Sequence, residues 1–153
     1  MGIATAFVTA TSYGTWLPGD LRGYVEDSVI LPASPRLLEF AQAQLRHEPV
    51  LFTPNQQTQL FVALANACKE FDYRLSDASV ETWHLHWIVD HDGNVSEMVG
   101  RLKNRMRQAL DQGRIWTAGY WDRTLTNETA LRQAQKYIAK HSGCRMSGGK
   151  SLS

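Results

Sequence analysis

Only Cys68 and Cys144 occur in the 153 residues, too few and too far apart for a disulfide framework or a Cys-x-x-Cys zinc site. Cys68 falls in a helical apolar stripe and reads as core, whereas Cys144 lies in a polar tail and reads as a free thiol. Long hydrophobic runs are also missing: no stretch approaches the roughly 18 uncharged apolar residues of a membrane span. The start Met1-Gly2-Ile3-Ala4-Thr5 lacks the basic region of a secretory signal, so the expectation is an intracellular protein with no membrane partner. A phosphate-binding loop is incomplete, because Gly149-Lys150-Ser151 has Cys144 where the motif requires its first glycine. What remains, 43% hydrophobic and 20% charged residues, suits one globular domain. It is expected over residues 1–143, with a long loop insertion at about 13–50 and a flexible basic tail at 144–153.

The net charge of +1 hides an asymmetry. Residues 1–80 carry five Lys/Arg against eight Asp/Glu, residues 81–153 eleven against seven. From Arg101 onward those eleven basic residues face only Asp111, Asp122 and Glu128, an excess of +8 that would attract a polyanion. Each basic residue alone reads as part of a solvated face; as a group they favour nucleic acid.

Ile3 to Thr11 mixes Val, Phe, Ala and Thr and predicts a strand. The loop after it holds Tyr13 and Trp16 near Arg22, which suits either base stacking or pinning of the loop to the core. Ser34 to His47 has weak helical character. Thr53-Pro54-Asn55-Gln56 predicts a capping box, with Leu60, Phe61, Leu64, Cys68 and Phe71 following at helical spacing. Tyr73 to Thr82 reads as a strand interrupted by a turn at Ser76-Asp77, and Asp90 to Asn94 as a turn. Ser96 is the expected cap and Gly113 the expected end of a helix with Met98, Val99, Leu102, Met106 and Leu110 inward. On its flanks Arg101 and Arg105, and Lys103 and Arg107, repeat at i and i+4. A short strand from Trp121 to Thr126 precedes a last helix capped by Asn127, with Leu131, Ala134 and Ile138 inward.

The run Trp83-His84-Leu85-His86-Trp87-Ile88-Val89 carries the most chemistry. A strand would project both imidazoles from one face while Trp83, Leu85, Trp87 and Val89 fill the other. That suits a metal site, and it equally suits two histidines on the solvent side of an amphipathic strand. His91, at an odd offset, falls on the opposite face and is the weaker ligand candidate. On the last helix Tyr137 and His141 lie one turn apart on one edge of the apolar stripe, where packing and dipole roles would also place them.

The element order predicts an α+β fold, a ferredoxin-like split βαβ domain whose antiparallel sheet has helices packed on one face. Together, His84-Leu85-His86, the Lys/Arg-rich helix, Trp116, Tyr120-Trp121-Asp122-Arg123 and Gln135-Lys136-Tyr137-Ile138-Ala139-Lys140-His141 resemble the HUH single-tyrosine transposases. Within that family the likeness is closest to the REP-associated tyrosine transposases and covers roughly residues 73–143 with its motifs. The resemblance implies Tyr137 as nucleophile and His84, His86 and His141 as ligands of Mg²⁺ or Mn²⁺. It further implies metal-dependent cleavage and rejoining of single-stranded or hairpin DNA through a 5′-phosphotyrosine, in the cytoplasm with the nucleoid. Arg101, Lys103, Arg105, Arg107, Arg123, Lys136 and Lys140 are the candidate DNA contacts. The family includes both monomers and homodimers that exchange tyrosine helices.

This sequence departs from the family's pattern in having Val80-Glu81-Thr82-Trp83 where many members carry a Met-Pro turn, and an imidazole, His141, where an amide is common. Two other classes remain open on the residues: a catalytically silent DNA- or RNA-binding protein of the same fold, and a metal-dependent hydrolase of small substrates, for which the basic excess has no purpose.

Overall fold

A computed structural model describes residues 2–15, 24–26, 29–141 and 143–146. In chain order its elements are β1 (Ile3–Thr11), β2 (Tyr24–Glu26), β3 (Val29–Leu31), α1 (Pro35–Ala43), α2 (Pro54–Glu70), β4 (Arg74–Val80), β5 (His84–Asp92), α3 (Val95–Leu110), β6 (Trp121–Leu125), α4 (Glu128–Ala139) and β7 (Cys144–Met146). Five strands form one sheet in the order β6-β1-β5-β4-β7, and every pairing is antiparallel. Without β7, the succession β1, α2, β4, β5, α3, β6 is the expected split βαβ arrangement. β2 and β3 form a separate small hairpin.

Strand alternation divides the sheet chemically. Ala6, Val8 and Ala10 of β1 and Leu85, Trp87 and Val89 of β5 join Leu60, Leu64 and Cys68 of α2 and Met98, Leu102 and Met106 of α3 in the main core. Burial pushes the Cys68 thiol up to about 12, so it is an inert core group. The other face carries a smaller cluster, Phe7, Ile88 and Leu125 under Ala130, Leu131, Ala134 and Ile138 of α4. The expected antiparallel sheet with a helical layer is present, but α4 lies opposite α2 and α3 rather than beside them. Its stripe has its own apolar patch to cover, which the two crossover helices leave open.

Local chemistry sets the element ends. α2 starts in the full Thr53/Gln56 capping box. α3 is capped by Asn94, whose side chain accepts from Glu97 N–H, so Ser96 lies inside the helix and bonds Tyr120 Oη instead. The helix ends at Asp111, left-handed at φ 48°, before Gly113 is reached. β5 runs through Asp90 and His91 to Asp92, and the chain turns at Gly93, whose φ of 75° is a conformation glycine accepts without strain. Asp90 tolerates the strand because it accepts a 2.6 Å bond from Thr5 Oγ1 across the sheet. Ser76-Asp77 is a bulge within β4 and not a turn. Trp83 precedes β5, and its ring lies 4.1 Å from that of His84 instead of joining the core side.

Of the loop residues considered for stacking, Trp16 and Arg22 fall outside the described residues. Tyr13 is buried, its hydroxyl accepts from Arg46 N–H at 2.8 Å, and its ring stacks on His47, so it pins the loop. Residues 144–146, expected in the tail, add β7 to the sheet edge beside β4. Gly143 makes that return possible: a Cβ there would run into the Val80 carbonyl and the Glu81 carboxylate, which accepts from Gly143 N–H. No helix among the described residues is long and apolar enough to cross a membrane.

Candidate functional site

β5 presents His84 and His86 on the α4 face, where the register pairs His86 with Thr9 and His84 with Thr11. Asn127 fixes the start of α4 by accepting from Ala130 N–H at 2.8 Å, and just past the Lys140 cap at its far end the chain delivers His141 over the pair. The His141 ring lies 4.6 Å from His86 and 5.6 Å from His84, and His84 lies 4.8 Å from His86, centroid to centroid. One candidate ligand atom from each of the three lies within 4.8 Å of the others. His91 is buried on the other face, edge-on to Tyr73, and takes no part.

The hydrogen bonds set the ring nitrogens. His141 Nδ1 lies 2.9 Å from the Tyr137 carbonyl, an acceptor only, so it carries the proton and Nε2 the lone pair. His86 Nδ1 lies 2.7 Å from Thr9 Oγ1, while its Nε2 is buried and has no hydrogen-bond partner. Burial first, then the neighbouring His84 and His141, pushes the His86 pKa down to about 3, so the ring is neutral at neutral pH. A buried, unsatisfied nitrogen costs about 1–3 kcal/mol. A neutral imidazole whose far nitrogen is held by a hydroxyl and whose near nitrogen is unsatisfied is the arrangement of a metal ligand, so these residues fit a divalent ion.

Tyr137 borders the same place. Its ring lies 5.1 Å from His86, 5.0 Å from His141 and 6.0 Å from Phe7, while 47% of the residue remains exposed. A phenol at the rim of a three-imidazole cluster, open to solvent, can attack an electrophile held by a bound cation.

The candidate DNA contacts divide between the two faces. Arg101 pairs with Glu97 and donates to Tyr73 Oη at 3.0 Å; Arg105 pairs with Glu70 at 2.6 Å; Arg107 donates to Asn104 at 3.0 Å. Lys103 donates to the carbonyls of Thr117 and Gly119 at 3.0 and 2.9 Å, and burial, with Arg114 nearby, lowers its pKa to about 8. These four belong to α3, across the sheet from the histidines, because the apolar stripe of α3 docks on the Leu85/Trp87 side. Arg123, paired in register with Phe7, lies on the histidine face, and exposed Lys136 and Lys140 flank Tyr137 on α4.

Thr9 and Phe7 complete the surroundings of His86 and were not singled out in the sequence. Only the pairing of β1 with β5 brings them there; the alternation of β1 says which residues share a face, not what they meet.

No protein-family model and no curated protein matches the chain. Among solved structures it is similar to a REP-associated tyrosine transposase bound to a REP hairpin, at 17% sequence identity and a TM-score of 0.54. The match covers 88% of this chain and 64% of the other, and it shows a shared fold.

Proposed function

We propose that this protein is a transposase-like HUH endonuclease that cuts and rejoins single-stranded DNA beside a hairpin, with Tyr137 as nucleophile and His84, His86 and His141 as ligands of a divalent ion. The observation that carries this reading is the packing of the Tyr137 ring against both His86 and His141 at the open edge of the cluster. The hairpin bound to the structurally similar transposase supports DNA as the substrate.

A divalent ion bound there would polarise the scissile phosphate and stabilise the leaving 3′ oxygen. The chain's own residues do the rest. Tyr137 Oη attacks the phosphorus, its proton leaving to solvent on the exposed side, and the bond to the 3′ oxygen breaks. The 5′ phosphate stays on the tyrosine as an aryl ester, and a returning 3′ hydroxyl can displace it, which a water nucleophile would not permit. His86 contributes a lone pair already stripped of solvent, and Thr9 holds its ring. Three imidazole nitrogens suit Mn²⁺ better than Mg²⁺, which prefers oxygen ligands. A protein acting on DNA in this way belongs in the cytoplasm with the nucleoid.

The test incubates an end-labelled hairpin carrying a single-stranded flank with protein and Mn²⁺ or Mg²⁺. The expected product is a denaturation-resistant protein–DNA adduct, absent with Tyr137→Phe, and its metal-dependent formation is lost with His86→Ala. An adduct that survives Tyr137→Phe places the nucleophile elsewhere. Salt-sensitive binding without any adduct supports the catalytically silent DNA- or RNA-binding protein instead.

A further inference from the structure

Outside the metal cluster, the α4 face carries one large aromatic that packing alone does not account for. Trp121 starts β6, the outermost strand on its side of the sheet, and is 39% exposed. Its ring meets Phe7 edge to face at 5.4 Å, and Phe7 in turn meets Tyr137 at 6.0 Å and His86 at 5.9 Å. The register agrees: Trp121 pairs with Thr9, and Thr9 pairs with His86, so the three form one row across the sheet. A continuous line of rings therefore leads from the sheet edge to the nucleophile.

The exposed charge nearest this line is positive. Arg123, two residues along the same strand face, is exposed, and exposed Lys136 of α4 and its C-cap Lys140 stand four residues apart on either side of Tyr137, while Arg132 a turn earlier is paired with Glu128 at 3.9 Å. Asp122 pairs with Val8 and so belongs to the other face. An exposed indole bordered by cations matches an unpaired nucleobase with its phosphates, because base–aromatic stacking tolerates any base and the cations track the backbone.

We propose that Trp121 is the stacking platform for an unpaired base of the strand that enters the Tyr137 site, next to the scissile phosphate or one nucleotide removed from it. This rests on the DNA-cleavage reading above. Stacking there would hold the strand against the sheet edge while Arg123 takes the adjoining phosphate, setting which phosphate reaches Tyr137.

Binding of single-stranded DNA by anisotropy, in chelator so that no strand is cut, separates the two readings. Trp121→Leu is expected to weaken binding about tenfold and Trp121→Phe much less. In a scan of abasic positions, one position should cost the wild-type protein about tenfold and cost Trp121→Leu nothing further, as for two halves of one contact. Bromouracil at that position should photocross-link to Trp121 in the wild-type protein, a readout that stands even where the leucine variant does not fold. Equal affinity of wild type and Trp121→Leu, additive losses at every abasic position, or a cross-link mapped to another ring would each overturn the proposal. So would a loss of dimer in Trp121→Leu with unchanged DNA affinity, which would make the patch an interface between copies. If the wild type binds no DNA, both readings fall; if it binds with the expected Trp121 dependence but forms no adduct with metal, only the cleavage reading falls.

Discussion

Leu85, Trp87 and Val89 leave β5 toward α2 and α3 and are fully buried among apolar side chains. From the same strand His84, His86 and Asp90 leave toward α4, where they meet Thr9, Thr5, the Tyr137 ring and His141. One face is closed and apolar; the other is polar and part open, and although Trp87 Nε1 on the closed face is also buried without a hydrogen-bond partner, His86 Nε2 is the one set among other imidazoles. The two helices over the closed face supply the burial that stabilises the domain, so the open face can carry groups that cost stability. Only the small patch around Ile88 and Ile138 anchors α4, enough to hold Tyr137 and His141 in place while leaving their outer edges exposed.

Adjacent residues of one strand give the largest test of that division. In metal-free protein Trp87→Ala is expected to lose about 3–5 kcal/mol in urea unfolding. His86→Ala should lose only about 1 kcal/mol yet abolish metal binding by calorimetry. Comparable destabilisation by the two would mean that His86 is a packing residue and the faces are alike. The pH dependence separates them too. Between pH 6.5 and about 3 the unfolded chain binds a proton at His86 that the native protein excludes, so stability falls as pH falls through that window. His86→Ala should flatten that part of the profile, and Trp87→Ala should leave its shape unchanged.

Within the open face, Thr9→Val removes one hydroxyl at nearly constant volume and leaves His86 Nδ1 without its partner. Metal affinity is expected to drop about 10–100-fold while the far-ultraviolet spectrum stays native. Unchanged affinity in a cobalt titration would show that the 2.7 Å contact does not hold the ring for a metal.

Much of this architecture was legible in the sequence. The Thr53/Gln56 box, the strand-forming composition of β1 and the spacing of Tyr137 and His141 are short-range patterns; the box and the strand form as expected, and His141 keeps its place beside Tyr137 although it follows the Lys140 cap of α4 instead of lying in its last turn. What the sequence did not show depends on partners far along the chain. Asp90 and His91 look like turn residues until Thr5 and Tyr73 are brought against them. Asn94 competes with Ser96 for the α3 cap, and both are good caps in isolation. Periodicity placed Arg101, Lys103, Arg105 and Arg107 on the flanks of a helix, but no local pattern says which face of the sheet that helix covers. The position of α4 was hidden for the same reason.

That last point yields the smallest effect and the most direct comparison of the faces, because two lysines of the same basic half serve different ends. Lys103 is held by two backbone carbonyls beneath the Trp116 segment, so its ammonium is an internal fastening. Lys103→Met should cost about 1–3 kcal/mol of stability by leaving those carbonyls unpaired, with no change in the salt dependence of DNA binding. Lys136 is exposed beside Tyr137. Lys136→Met should leave stability within about 0.5 kcal/mol and lower the slope of log affinity against log salt by about 1, the loss of a single phosphate contact. If Lys103→Met lowers the slope and Lys136→Met does not, the DNA lies on the α3 side. The metal cluster and the DNA-binding surface would then occupy opposite faces of the sheet, and cleavage at Tyr137 would lose its substrate path.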